Sequence, residues 1–102
     1  MKLLFVTALK EYRKQVGDIF KKAGIHVYSA TDTIGFKDGE PADLLDSWFS
    51  IGEAKFDSVF LFSFTSAQNV EKALLMIHEH NQEFPSDFPI RAFVLPVEKS
   101  II

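Results

Sequence analysis

Carboxylates are the chemically active residues that this sequence concentrates most strongly in one stretch. From Asp32 to Asp57 there are seven aspartates and glutamates against two lysines. Paired carboxylates can bind a divalent cation or act as a general acid and base. A metal-binding alternative would take its ligands from four of them: Asp38, Glu40, Asp43 and Asp46. A run of like charges is more often a solvated loop, and we favour that interpretation.

The three histidines do not form a metal-binding motif. His78 and His80 stand two positions apart in a predicted helix, so their side chains point in different directions and cannot chelate one ion as an i, i+4 pair could. His26 is predicted to be a half-exposed strand residue. A metal site shared between subunits, to which one histidine contributes, is kept as a lesser alternative.

The sequence has no recognisable catalytic motif. It contains neither a Gly-x-x-x-x-Gly-Lys-Ser/Thr phosphate loop nor a Gly-x-Ser-x-Gly nucleophile elbow. Because it has no cysteine, it offers no thiol nucleophile, no disulfide and no thiolate zinc site. We therefore predict a protein that is not an enzyme, with no catalytic residues and no resident metal or cofactor. A nucleotide or a divalent metal stays open as a reversible ligand.

An apolar group lies inside the acidic stretch. If Asp43 caps a short helix, four apolar side chains share one face of it: Leu44, Leu45, Trp48 and Phe49. Loops lie on protein surfaces, and tryptophan is enriched at binding hot spots. The group is therefore either a docking segment for a partner protein or a lid that folds back onto the body, and the sequence leaves both open.

Length and composition predict one cytoplasmic domain over residues 1–102. Hydrophobic residues make up 47% of the chain, which is too many for a disordered segment. The apolar run at the start is too short for a signal peptide, and no run is long enough to span a bilayer, so we expect no direct membrane insertion. A net charge of −3 without a basic cluster argues against binding to nucleic acid.

Hydrophobic periodicity predicts the element order βαββαβ. Strands are expected at residues 2–8, 25–36, 56–64 and 90–97, and helices at 10–23 and 65–82. Gly24 stands where a left-handed helix cap is needed, and residues 65–68 match a capping box. A long loop, residues 37–55, separates the second and third strands. This order predicts an α+β, ferredoxin-like fold with a four-stranded antiparallel sheet and both helices on one face.

The predicted sheet is apolar on both faces. In the third strand, Val59, Leu61 and Ser63 alternate with three phenylalanines: Phe60, Phe62 and Phe64. The helices can cover only one of these faces, and an exposed face rich in phenylalanine would promote aggregation. We therefore expect the second face to pack against further copies of the chain.

Two stretches of the sequence resemble the PII signal-transduction proteins. The stretch Phe93-Val94-Leu95-Pro96-Val97-Glu98, at the end of the last predicted strand, is similar to the sequence that commonly forms the final strand in this family. The stretch from Gly24 through Thr31 to Gly35-Phe36 is similar to the family's passage from its first helix to the foot of its long loop. The resemblance implies a homotrimer with the sheets turned inward. It also implies a regulatory loop, the family's T-loop, between the second and third strands, which docks on transporters or enzymes.

The resemblance also implies a nucleotide site in the clefts between subunits. Gly35 and Phe36 match the Gly-Phe pair at the foot of the loop, and Ser29 falls where the family often has a threonine beside the nucleotide. Arg91 stands two residues before Phe93, where the family has a lysine that contacts phosphate. Each has an ordinary structural alternative as a bulge, a buried aromatic, a strand surface residue or an exposed charge.

Several positions depart from the pattern of the family. Residues 87–90 contain no glycine, whereas the family has a glycine-rich turn there, and Pro89 has no amide hydrogen to offer a phosphate. Lys37 replaces the glycine that follows Gly-Phe, and the loop lacks a tyrosine for the family's modification. We therefore expect a PII-like protein without ordinary ATP and 2-oxoglutarate sensing.

The function predicted from the sequence is a regulatory or signalling trimer. Its 37–55 loop would contact a partner protein, such as a membrane transporter or an enzyme, under control of a small ligand at the subunit clefts. The alternative is a divalent-metal binding or tolerance protein of the CutA kind, which shares the trimeric build.

Overall fold

The computed structural model describes residues 1–36 and 55–101. The strands are β1 (Lys2–Leu9), β2 (Ser29–Phe36), β3 (Lys55–Thr65) and β4 (Arg91–Pro96). The helices are α1 (Arg13–Lys22), which follows a 3-10 turn (Lys10–Tyr12), and α2 (Ala67–Glu83). The order of the elements is the predicted βαββαβ.

The four strands form one antiparallel sheet in the order β2-β3-β1-β4. Strands β1 and β3 neighbour each other at the centre, and Phe5 of β1 lies opposite Phe62 of β3 and Phe93 of β4. Among the described strands, β2 pairs only with β3, so β2 and β4 form the two edges of the sheet. This arrangement confirms the predicted ferredoxin-like fold.

One face of the sheet and the two helices enclose the core. Alternate residues of the central strands are fully buried there: Leu4, Val6, Val59 and Leu61. The helices contribute residues at helical spacing, which include Val16, Phe20, Val70, Ala73 and Ile77. Both helices therefore lie on the same face, as the sequence predicted, and the predicted alternation of β3 is confirmed.

Helix α1 ends in a hydrogen-bonded cap that uses a glycine. Gly24 has a φ of 89°, a conformation that side chains with a Cβ rarely adopt. The amide of Ile25 donates to the carbonyl of Phe20 at 2.8 Å, and the amide of Gly24 donates to that of Lys21 at 3.1 Å. This pattern is a Schellman motif, and it confirms the predicted role of Gly24.

The second strand is shorter at its start than predicted. Residues 25–28 do not belong to β2, which begins at Ser29. The amide of Ile25 is taken by the cap of α1, and the carbonyl of Val27 accepts a hydrogen bond of 2.7 Å from the Ser63 hydroxyl. Because backbone groups of this segment are bonded elsewhere, the ladder with β3 starts only after it.

The start of α2 also differs from the predicted capping box. Thr65 is the last residue of β3, where it pairs with Lys2, and Ser66 is the N-cap. The Ser66 hydroxyl accepts a hydrogen bond of 3.2 Å from the amide of Asn69. The cap lies one residue later than predicted because Thr65 is used by the sheet.

Candidate functional site

The sheet has a second face, opposite to the helices, that we call the open face. The register of the strands places alternate residues on it. Its members are Leu3, Phe5, Thr7, Ser29, Thr31, Thr33, Phe60, Phe62, Phe64, Arg91, Phe93 and Leu95. Along the strands, this face changes from apolar at the Leu3 end to more polar at the Thr7 end.

The apolar part of the open face is an aromatic cluster. The ring of Phe5 lies 5.6 Å from that of Phe60 and 5.7 Å from that of Phe62, measured between centroids. At the edge of the cluster, Phe64 is 58% exposed and Leu95 is 45% exposed. Ring contacts of this kind stabilise the cluster internally, but they leave a contiguous apolar surface in contact with water.

Arg91 lies at the polar end of the open face. It stands opposite Thr7 of β1, which is buried, and two residues before Phe93 on the same strand. Its Nε is covered by protein atoms and has no hydrogen-bond acceptor in the described part of the chain, although the residue as a whole keeps some exposed surface. A covered N–H without an acceptor is costly, and the guanidinium also has four Nη–H donors that can bind an acceptor from outside the chain.

Asn81 of α2 fixes the backbone immediately before Arg91. Its Nδ2 donates to the carbonyl of Ile90 at 2.8 Å, and its Oδ1 accepts from the amide of Ile90 at 3.1 Å. Ile90 is buried, with 3% of its surface exposed. The side-chain amide therefore replaces a neighbouring strand at Ile90 and sets the point at which β4 begins.

A search of solved structures found a protein of the same architecture. It is a protein from Thermus thermophilus that is provisionally described as a PII-like signaling protein. The superposition has a TM-score of 0.62 at 18% sequence identity, and it covers 92% of this chain and 82% of the other.

The chain has a PII-like fold. The resemblance seen in the sequence is thus confirmed at the level of the fold. No family model matches the sequence, and no curated protein matches it.

Within this PII-like fold, one chain does not bring the predicted ligand-binding residues together. Ser29, Gly35 and Phe36 belong to β2, and Arg91 begins β4 on the opposite edge of the sheet. Three strand spacings separate the two edges, which is roughly 14 Å. A small ligand could contact both groups only if β2 and β4 came from different subunits.

The predicted partner-binding residues Leu44, Leu45, Trp48 and Phe49 lie outside the described residues, as do the four carboxylates of the metal-binding alternative. Among residues 1–36 and 55–101, no group of three or more histidines and carboxylates is placed to hold a metal ion. In the same residues, no helix is long and apolar enough to cross a membrane.

Asp32 connects the edge strand β2 to the start of the first helix. Its carboxylate lies 3.3 Å from Lys10 Nζ and 3.4 Å from an Nη of Arg13. All three side chains are about half exposed, so the pairs contribute little to stability. They do orient Arg13 towards β2.

Sequence reasoning missed the contact between Asn81 and Ile90. No spacing rule connects a helical asparagine with a residue nine positions later, since the contact depends on how α2 packs beside β4. Pro85 and Pro89, which lie between the two residues, are the only indication in the sequence that the chain turns there.

We predict that Asn81→Ala lowers the free energy of unfolding by about 1–3 kcal/mol. The variant leaves the buried amide and carbonyl of Ile90 without partners, which costs an amount of this order. The measurement is urea denaturation at one fixed protein concentration. Gln82→Ala, at an exposed position of the same helix, is the control, with an expected change within about 0.5 kcal/mol. Equal effects of the two substitutions would contradict the role of Asn81.

Proposed function

We propose that the protein is a cytoplasmic, non-enzymatic regulatory homotrimer of the PII-like kind. Its 37–55 loop contacts a partner protein, a membrane transporter or an enzyme, under control of a small anionic ligand bound between subunits. The observation that supports this most strongly is the open face, an aromatic surface on the side of the sheet that the helices leave uncovered.

The energetics of the open face favour assembly. Burial of a fully exposed phenylalanine or leucine side chain is worth roughly 1.5–3 kcal/mol. Phe64 and Leu95 are exposed on this face, and the phenylalanines around them are partly exposed. Packing of the open faces of several subunits against one another would remove these side chains from water.

The geometry of the sheet favours a closed ring over a symmetric pair. Ser29 and Arg91 lie on opposite edges, so a head-to-tail arrangement would place the β2 edge of one subunit beside the β4 edge of the next. Such a ring would unite in each cleft the residues that a single chain holds apart. A two-fold dimer does not require the β2 edge of one subunit to lie beside the β4 edge of the other.

Arg91 supports the anionic character of the ligand. Arginine binds phosphate and carboxylate through a planar set of donors, and the Nε of Arg91 has no acceptor in the described part of the chain. Pro89 cannot donate an amide hydrogen, so the ligand would be held by side chains more than by the backbone before β4. This supports a ligand other than ATP bound in the ordinary way of the PII family.

The ends of the 37–55 loop are fixed by the sheet. Phe36 of β2 pairs with Lys55 of β3, so the segment between them leaves and returns at one point beside the β2 edge. A ligand bound at that edge would therefore act directly on the foot of the loop. This supports control of partner docking by the ligand.

The divalent-metal alternative rests on carboxylates outside the described residues. Its support is therefore the acidic composition of the loop alone, and we keep it as the second candidate.

We predict that the wild-type protein has a mass in solution of three times 11.6 kDa, and that Phe64→Glu lowers it towards 11.6 kDa. A carboxylate at this position of the open face would have to be buried in the assembly, which is strongly unfavourable. Light scattering at micromolar concentration measures the mass.

The matched control is Leu75→Glu, on α2. Leu75 is 59% exposed and Phe64 is 58% exposed, but only Phe64 lies on the open face. The control should stay trimeric. A monomeric wild-type protein, or equal dissociation of both variants, would refute the trimer.

We predict that a small anion stabilises the wild-type trimer and that Arg91→Gln loses this effect. A ligand at 100 times its Kd adds about 2.7 kcal/mol to the stability of the folded state. Thermal shift with a panel of nucleotides, carboxylates and divalent metals measures it, and Lys72→Gln on α2 is the control for the change in charge. A response to metals alone, unchanged in Arg91→Gln, would favour the metal-binding alternative.

We predict that Trp48→Ala weakens the complex with the partner on the order of 30-fold, because a tryptophan at a binding hot spot contributes about 2 kcal/mol or more. The measurement is affinity for a partner first captured with the wild-type protein. Ser50→Ala, in the same loop, should bind as the wild type does. Undiminished binding by Trp48→Ala and by a variant lacking residues 44–49 would show that the loop is not the docking segment.

A further inference from the structure

A cavity lies on the helix side of the protein, away from the open face. It has a volume of about 440 Å³ and is formed between α1 and residues 25–28. Its lining residues are Arg13, Lys14, Gly17, Asp18, Lys21, Ile25, His26 and Tyr28. The volume is within the range of about 300–1,000 Å³ that small-molecule sites have.

The charge of this cavity is opposite to that of the whole chain. Arg13 is paired with Asp32, so Lys14 and Lys21 stand against the single carboxylate of Asp18 and leave one positive charge, whereas the chain has a net charge of −3. Lys14 and Lys21 are seven positions apart, so they lie on the same side of α1 at a separation of roughly 10 Å along its axis. In the described part of the chain, neither lysine has a carboxylate within 4.0 Å of its nitrogen.

The side chain of Tyr28 forms the floor of the cavity and lies against Gly17 of α1. A Cβ at Gly17 would lie 2.8 Å from the Tyr28 hydroxyl, so only glycine allows the phenol to approach the helix this closely. A glycine inside a helix costs roughly 0.5–1 kcal/mol relative to alanine. Within residues 1–36 and 55–101, the hydroxyl makes no hydrogen bond, and Tyr28 is 41% exposed.

The position of Tyr28 is fixed by the surrounding structure. Its ring packs edge-to-face on buried Phe20, with centroids 5.1 Å apart. The segment before it is held by the helix cap at Ile25 and by the bond from Ser63 to the carbonyl of Val27. The cavity is therefore formed before any ligand binds, which lowers the entropic cost of binding.

We propose that this cavity binds a small organic phosphate. The phosphate would lie between Lys14 and Lys21, above Gly17, where two ammonium groups without an ion pair among the described residues are available as donors. The phenol of Tyr28 would donate a further hydrogen bond, and its ring would contact the rest of the ligand. Asp18 accepts a hydrogen bond from a hydroxyl of the ligand, so a hydroxyl-bearing phosphate ester is bound in preference to inorganic phosphate.

This site differs from the proposed cleft in position and in what it requires. It is complete within one chain and uses α1, whereas the cleft needs β2 and β4 of two subunits. Sequence reasoning missed this site because Lys14 and Lys21 belong to no binding motif. Their heptad spacing around Gly17 is the signal that could have indicated it.

The test uses the full-length protein and ribose 5-phosphate, with inorganic phosphate and ribose as reference compounds. Calorimetry gives the Kd, and amide chemical shifts locate the site. We expect a millimolar or tighter Kd for ribose 5-phosphate, weaker binding of inorganic phosphate and none of ribose. Shifts should be confined to residues 13–21 and 25–28, and binding should weaken with added salt.

Three variants test the assignment of the residues. The double variant Lys14→Gln/Lys21→Gln should lose at least tenfold in affinity, and Tyr28→Phe should lose several-fold with the ring retained. Lys22→Gln removes the same kind of charge from a neighbouring position that does not line the cavity, and its Kd should stay within twofold of the wild type.

Four results would overturn the proposal. They are no binding at 10 mM ligand, equal affinity for inorganic phosphate, shifts centred on Ser29 and Arg91, or equal losses in Lys22→Gln and the double variant. Shifts at Ser29 and Arg91 would leave the proposed cleft intact, and shifts on α1 in a monomeric protein would support the cavity while the trimer failed. The outcomes of the two proposals are thus separable.

Discussion

The structure depends on one constraint: the four-stranded sheet has apolar residues on both faces, and within residues 1–36 and 55–101 the helices cover only one of them. The register determines which residues the helices bury, because neighbours along a strand point to opposite faces. Val59 and Leu61 are fully buried in the core, whereas Phe60 and Phe62, in the same strand, face away from it. The open face therefore follows from the strand register, and the two described helices leave it uncovered.

Hydrogen bonds fix the backbone at two places where a strand begins, before β2 and before β4. At the end of α1, the Schellman motif and the bond from Ser63 hold residues 25–28 outside the ladder and set Tyr28 against Gly17. Before β4, the side-chain amide of Asn81 forms hydrogen bonds with both the amide and the carbonyl of Ile90. These bonds set the start of β4, where Arg91 lies opposite Thr7. In each case, a polar contact determines where the side chain of a proposed site stands.

The sequence predicted the elements and the fold because both follow from local periodicity. It could not predict features that depend on competition between elements. The start of β2 moved to Ser29 because the helix cap uses the Ile25 amide, and the cap of α2 moved to Ser66 because the sheet uses Thr65. The positions of Ser29 and Arg91 could be matched to a family pattern, but their location on opposite edges is a property of the strand order.

The two proposed anion sites would depend on assembly in different ways. In the proposed trimer, Arg91 lies on a face that another subunit covers, so its acceptor and its solvent exposure would both change when subunits associate. Lys14 and Lys21 lie on α1, on the far side of the core, and the cavity that they line needs no residue of a second subunit. A ligand bound at Arg91 would be thermodynamically coupled to assembly. Ligand binding would then strengthen the association of subunits by the same factor by which association strengthens ligand binding. A ligand in the α1 cavity could bind without a change in oligomeric state, unless its binding moves residues 25–28 and the adjoining start of β2.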